Sequence, residues 1–173
     1  MTSEYLLNKE MEHVFAALMP ENRLVCRTCV ATGLRVSDVL ALRTEQLSGR
    51  FWVVEQKTKK KRRVDLKKEL LEQLKEQAGE TWVFPHRTNP AKHRTRQTVW
   101  ADIKRASKAF RLPQNVAVHS LRKVYAHELL TKSKGDLSKV QRALNHSDAA
   151  TTMIYVMAYE IYKAKYGGKG GKC

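Results

Sequence analysis

The chain has 173 residues, 42% of them hydrophobic, enough for one domain with its own core and too few for two of ordinary size. Its 33 Lys and Arg against 17 Asp and Glu give a formal net charge of +16 and a sequence pI near 10.0, so a polyanion is the natural partner and nucleic acid is favoured. The sequence shows no apolar span of about 20 residues, no long basic amphipathic helix and no cleavable leader, which argues against a membrane and for a soluble intracellular protein.

Asn8 caps a predicted helix in which Met11, Val14, Phe15 and Leu18 recur at helical spacing, until Pro20 stops it. A second helix is predicted over 22–32, ending at Gly33, which suits the left-handed position after a helix. Arg35 follows that break, and Ser37 caps a third helix through Asp38, Leu40 and Leu42, so the guanidinium is expected in a tight connector. Cys26 and Cys29 form a C-x-x-C inside the second helix, and Cys173 ends the chain. No second Cys or His pair follows at finger-like spacing, so the pair is read as apolar core rather than as zinc ligands, and no oxidising compartment is implied.

Residues 51–55 are aromatic and β-branched, and a strand-like stretch resumes at 63–66, which predicts a β-hairpin. Its connection carries Lys57, Lys59, Lys60, Lys61, Arg62 and Arg63, a run of like charge suited to a phosphate backbone, although a solvated turn carries such runs too. Leu70, Leu71 and Leu74 mark a helix over 67–78 that Gly79 ends, and 81–84 is briefly extended. Arg87, Lys92, His93, Arg94 and Arg96 then lie among turn formers, a basic surface loop expected to touch DNA phosphates. In the helix that follows, Val99, Ile103, Ala106 and Phe110 fall on one core face, with Lys104, Arg105 and Lys108 off it, until Pro113 closes the segment.

His119 and Arg122, three residues apart, open a helix carrying Leu121, Val124, Tyr125 and Leu129, so both polar side chains leave its N-terminal end together, where anions are favoured. A further helix spans 138–144, His146 occupies the break after it, and Ser147 caps a last helix through Ala149, Thr152 and Tyr155. The Gly- and Lys-rich stretch 167–173 reads as a flexible tail. No repeat or linker divides the chain, and the expected fold class is mainly α with a small antiparallel β-sheet.

Arg35, Lys57, His119, Arg122 and His146 precede Tyr155, which lies nine positions after the last of them. Cations and imidazoles around a phosphate, with a phenol to attack it, form a device for breaking a phosphodiester without a metal, because placed positive charge and geometry stabilise that transition state. Each residue has a duller reading: Arg35 on the surface, Arg122 in a salt bridge, His146 as a helix cap, Tyr155 as a rim aromatic beside Tyr159, Tyr162 and Tyr166.

Five segments in this order, Thr32-Gly33-Leu34-Arg35-Val36-Ser37-Asp38, Glu55-Gln56-Lys57-Thr58, His119-Ser120-Leu121-Arg122, Leu144-Asn145-His146-Ser147 and Thr151-Thr152-Met153-Ile154-Tyr155, resemble the catalytic domain of the tyrosine recombinases, the phage integrase family. Each string is weak alone; the ordered set, covering roughly residues 6–155, is specific. The resemblance implies a catalytic domain over residues 1–166, with the family's N-terminal core-binding domain absent. It implies site-specific cleavage and rejoining of double-stranded DNA through a 3′-phosphotyrosyl intermediate, with no metal, ATP or other cofactor. Tyr155 would be the nucleophile, Arg35 and Arg122 would grip nonbridging oxygens, and His119 would help take the phenol proton. His146 would donate to a nonbridging oxygen, and Lys57, or Lys59 or Lys60 if the register slips, would protonate the departing 5′-hydroxyl.

Asp38 would orient Arg35 or a histidine, and Lys59, Lys60, Lys61, Arg62, Arg87, Lys92, Arg94 and Arg96 would contact DNA. Asn145 stands where the family usually has glycine, and asparagine is the next best residue for a left-handed turn. The family also implies a monomer when free and a tetramer in a synaptic complex, in the cytoplasm of a bacterial, archaeal or phage-infected cell. Met157, Tyr159, Ile161 and Tyr162 would pack against a neighbouring subunit or fold back on their own core. Two alternatives stay open: DNA relaxation of the type IB topoisomerase kind, and a non-catalytic basic DNA-binding protein, for which the charge alone suffices.

Overall fold

Gly33 and Asn145 end two helices in left-handed backbone, with φ of 66° and 51°. Each hands the chain on to a candidate site residue, Arg35 after the first turn and His146 after the second. The computed structural model describes residues 3–166. Its elements are α1 (Asn8–Ala17), α2 (Pro20–Thr32), α3 (Val36–Leu40), a 3-10 turn (Thr44–Gln46), β1 (Arg50–Val54), β2 (Lys61–Asp65), α4 (Lys68–Gln77), α5 (Arg96–Ala109), α6 (Val118–Lys132), α7 (Leu137–Leu144) and α8 (Ala149–Tyr166). The architecture is the mainly helical one expected, with a two-stranded antiparallel sheet.

Helix α2 runs through the core, contacted by α1, α3, α4, α5 and α6. Val25, Cys26 and Cys29 on it are at most 1% exposed, beside Val99, Ile103 and Ala106 of α5 and Leu121 and Val124 of α6. Burying each of the larger aliphatics contributes about 1.5–3 kcal/mol. Thr28 and Thr32 are tolerated there because their hydroxyls donate back to the carbonyls of Leu24 and Thr28. At Gly33 a Cβ would stand 2.4 Å from the Tyr125 ring, so both the backbone conformation and the close approach of α6 require glycine.

The hairpin pairs Phe51 with Val64 and Val53 with Arg62, turning Phe51, Val53 and Val64 into the core. Strand β2 begins at Lys61, two residues before the expected start, because Lys61 completes the ladder opposite Val54.

Five expectations need correction. Asn8 is the first residue of α1 rather than its cap; Leu7 holds the N-cap, its N–H donating to Glu10 Oε2 at 2.9 Å. Pro20 does not merely end α1 but opens α2, where its missing N–H leaves no helical bond unmade. Phe110 is 42% exposed and stacks on His13, ring centroids 5.1 Å apart, because α5 ends at Ala109 and the ring turns off the core face. Asp148 rather than Ser147 caps α8, its Oδ1 accepting from the Thr151 N–H at 2.7 Å. Ser37 caps nothing either; Arg35 itself occupies the N-cap of α3. The stretch 167–173 read as a flexible tail, with Cys173, lies outside the described residues.

After Tyr155 the chain packs on itself. Tyr162 is buried and its hydroxyl donates to Glu10 Oε1 at 2.8 Å, while Lys165 Nζ donates to Glu4 Oε1 at 2.6 Å. The Tyr159 ring lies 4.2 Å from that of His127. Met157 and Ile161 remain exposed on the outer face of α8.

Candidate active site

Arg35, held in the connector between α2 and α3, shares one cleft of about 390 Å³ with Lys57 of the hairpin turn, Arg96 at the start of α5, and His119 and Arg122 from the first turns of α6. Sequence separations of more than 80 residues are thus closed by the fold. Arg122 is only 2% exposed. Its Nη2 donates to the Leu144 carbonyl at 2.5 Å and its Nη1 to the Gly33 carbonyl, tying the ends of α7 and α2 to α6. Burial first, and then the neighbouring Arg35, pull its pKa down to about 10, while Tyr155 and Glu55 support its charge. It therefore stays cationic at neutral pH.

His146 lines a second opening of about 430 Å³ with Lys60, Gln141, Arg142 and Asn145. Its Nδ1 lies 3.1 Å from Thr152 Oγ1, and its ring meets the Tyr155 ring edge-on, centroids 5.0 Å apart. Burial, with Arg122 and Arg35 nearby, lowers its pKa to about 4, so the imidazole is neutral at neutral pH. His119 is lowered for the same reasons, burial first and then Arg122, Arg35 and Arg96. Tyr155 lines neither opening; it is half-buried against Ala126, Val140 and Leu144, within electrostatic reach of Arg122.

Two carboxylates sit beneath these cations. Asp38 does not carry the ion pair to Arg35: its Oδ1 accepts from the Gln56 N–H at 2.9 Å, and burial raises its pKa. Glu55, which sequence reasoning passed over, takes that place. Its side chain is fully buried and Oε2 accepts from Arg35 Nη1 at 2.5 Å. Burial opposes its charge, yet Thr58 and Arg35 together hold its carboxyl below the ordinary range. The one signal for it was parity, since 51, 53 and 55 alternate inward along the strand.

The residues expected on DNA divide. Lys59, Lys60 and Lys61 are exposed around the hairpin turn, and Arg87, Lys92 and Arg96 are exposed before and at the start of α5. Arg62 and Arg94 are not available on the surface. Arg62 donates to the Thr32 carbonyl and lies 3.8 Å from Glu55, with its guanidinium near the Tyr125 ring. Arg94 is 7% exposed and donates to Asn22 Oδ1 at 3.1 Å, because the chain turns inward there to bond its N–H to the Phe84 carbonyl. Among the described residues, no His, Cys, Asp and Glu group is placed to hold a metal ion, and no helix is long and apolar enough to cross a membrane.

Comparison with known proteins agrees with this geometry. The profile of the phage integrase family matches residues 4–160. The chain is 30% identical over 175 residues to the probable integrase/recombinase YoeC of Bacillus subtilis strain 168, covering 97% of this chain and 90% of that one. It is 33% identical over 141 residues to the tyrosine recombinase XerD of Rhizobium meliloti strain 1021, covering 75% of this chain and 45% of the relative, so it spans about half the length of that protein. In fold it is similar to a lambda integrase solved as a tetramer bound to a Holliday junction, with a TM-score of 0.74 at 24% identity, over 90% of this chain and 48% of that one. A profile match over nearly the whole chain, on a fold that gathers Arg35, His119 and Arg122 at one cleft, makes this chain a member of the phage integrase family, with the fold of a tyrosine recombinase catalytic domain.

Proposed function

We propose that residues 1–166 form a catalytic domain that cleaves and rejoins double-stranded DNA at specific sites through a 3′-phosphotyrosyl intermediate. The observation that carries this reading is the shared cleft of Arg35, Lys57, His119 and Arg122, with His146 edge-on to Tyr155 beside it. Two guanidiniums that stay charged can hold the nonbridging oxygens of one phosphate with paired donors. The Tyr155 phenol must lose its proton as it attacks, and a neutral His119 in this cationic cleft is a suitable acceptor. His146 Nδ1 lies 3.1 Å from Thr152 Oγ1, and in the tautomer whose Nδ1 accepts there Nε2 carries the proton and can give that hydrogen bond to the phosphate. Lys57, exposed on the hairpin turn, protonates the leaving 5′-hydroxyl.

Exposed Lys59, Lys60, Lys61, Arg87, Lys92 and Arg96 extend the cationic surface from this cleft along the duplex. The reaction takes place on DNA in the cytoplasm, and four copies act together in a synaptic complex, as in the lambda integrase tetramer on its junction. A topoisomerase-like activity or a binding-only role is less well supported, since the relatives named above are recombinases.

Incubation with a nicked suicide duplex in EDTA, followed by a denaturing gel and peptide mapping, tests the reading. A covalent adduct at Tyr155 is expected. No adduct on cognate DNA that the protein demonstrably binds would overturn it.

A further inference from the structure

One carboxylate reaches two of the candidate cations. Glu55 Oε2 accepts from Arg35 Nη1 at 2.5 Å and from Thr58 Oγ1 at 2.9 Å, and Oε1 stands 3.8 Å from Arg62 Nη1. Its backbone brackets the turn that carries Lys57: the Glu55 N–H donates to the Lys60 carbonyl at 3.1 Å, and its own carbonyl accepts from the Lys59 N–H at 2.8 Å. We propose that Glu55 is a positioning residue for strand cleavage, holding Arg35 and the Lys57 turn in one register before DNA arrives. The proposal rests on the recombinase reading above and deepens it.

The charge inventory gives the reason. Arg35, Lys57, Arg96 and Arg122 crowd one cleft with Arg62 behind it, and without a counter-charge they repel one another. A fully buried carboxylate is itself costly unless well paired, so the pairing fixes both partners. The Arg35 guanidinium is thereby committed to one orientation, with its remaining donors left for the phosphate. Orientation set before the reaction lowers the barrier, because it is not reorganised during attack.

The same carboxylate contributes nothing to ground-state affinity, since a negative charge near an incoming phosphate opposes binding. Removing it should slow chemistry while leaving DNA affinity equal or tighter. A residue that serves only the fold would move both together or neither.

The test is single-turnover adduct formation by the full chain on saturating nicked suicide duplex, with Kd read separately by fluorescence anisotropy. Glu55→Gln is expected to react about tenfold or more slowly with Kd equal or lower. Thr58→Val, which removes the second partner and keeps every charge, is expected to react about threefold more slowly. A folded Glu55→Gln protein with the wild-type rate overturns the proposal, as does a parallel loss of rate and affinity. If Glu55→Gln does not fold, Thr58→Val decides, and a wild-type rate there overturns it. Should the wild-type chain form no adduct at all, the recombinase reading fails, and the Arg35 Nη–H resonances then judge the pairing alone. Slow exchange in wild type that is lost in Glu55→Gln supports the pairing; fast exchange in wild type overturns it.

Discussion

Arg122, on the first turns of α6, donates through Nη2 to the carbonyl of Leu144, the last residue of α7, at 2.5 Å. The bond fixes the chain two residues before His146, so the guanidinium proposed to grip the phosphate also sets the seat of its neighbour in the site. Arg122→Ala therefore leaves the Leu144 and Gly33 carbonyls unpaired in the interior, at about 1–3 kcal/mol each. Urea denaturation is expected to show a loss of about 2–4 kcal/mol, and adduct formation should disappear. Arg122→Lys should fail nearly as badly in catalysis, because a point charge cannot span two carbonyls and a phosphate. A wild-type urea midpoint in Arg122→Ala would sink the bridging role.

Tyr155 separates chemistry from stability. Among the described residues its hydroxyl has no hydrogen-bond partner, while its ring packs between α6 and α7. Tyr155→Phe keeps the ring, so the melting transition should stay within about 0.5 kcal/mol of wild type. The adduct should vanish completely. A residual adduct mapping to Tyr159 or Tyr162 would move the nucleophile along α8; Tyr162 is a poor candidate, because burial and Glu10 push its pKa up to about 12.

Why these residues were legible and others were not follows from what local pattern encodes. The helices over 67–78 and 138–144 were read within two residues of the observed α4 and α7 because leucines and valines repeat on one face. Gly33 and Asn145 were placed correctly because a left-handed turn admits few residues. Arg62 and Arg94 misled because a run of charge looks solvated from sequence. Their burial depends on partners 30 and 72 residues away, Thr32 and Asn22. Glu55 was hidden in the same way, its counter-ion lying 20 residues back. Charge is assigned its depth by tertiary structure, whereas apolar periodicity carries its own.

That division predicts two classes among the basic residues. Lys59→Ala or Lys60→Ala should leave the melting temperature unchanged and flatten the dependence of log K on log salt by about 0.9 for each phosphate no longer neutralised. Arg94→Ala should do the reverse, with an unaltered salt slope and a loss of about 1–3 kcal/mol as Asn22 Oδ1 is deprived of its donor. If Arg94→Ala shifts the salt slope while the fold stays as stable, Arg94 touches DNA after all.

The histidines supply a pH signature. His146 falls to about 4 in the fold, through burial first and then Arg122 and Arg35, against an ordinary value near 6.5. The folded state then binds fewer protons than the unfolded chain, so this contribution to stability is fully present above about 6.5 and is lost as pH falls toward 4. His119 and His127 are also lowered and add to the same slope, whereas Glu55, held below its ordinary value, acts only at more acid pH. Urea midpoints measured between about pH 7.5 and 5 should therefore decline, and His146→Asn should flatten part of the decline. A phosphate in the cleft offsets the Arg122 and Arg35 charges that add to burial in depressing His146, so binding takes up a proton there as the pH falls toward about 5. The Kd for DNA should fall as pH is lowered over the same interval, less steeply in His146→Asn. A Kd unchanged on acidification would mean that His146 remains neutral beside the phosphate and acts only through a neutral N–H.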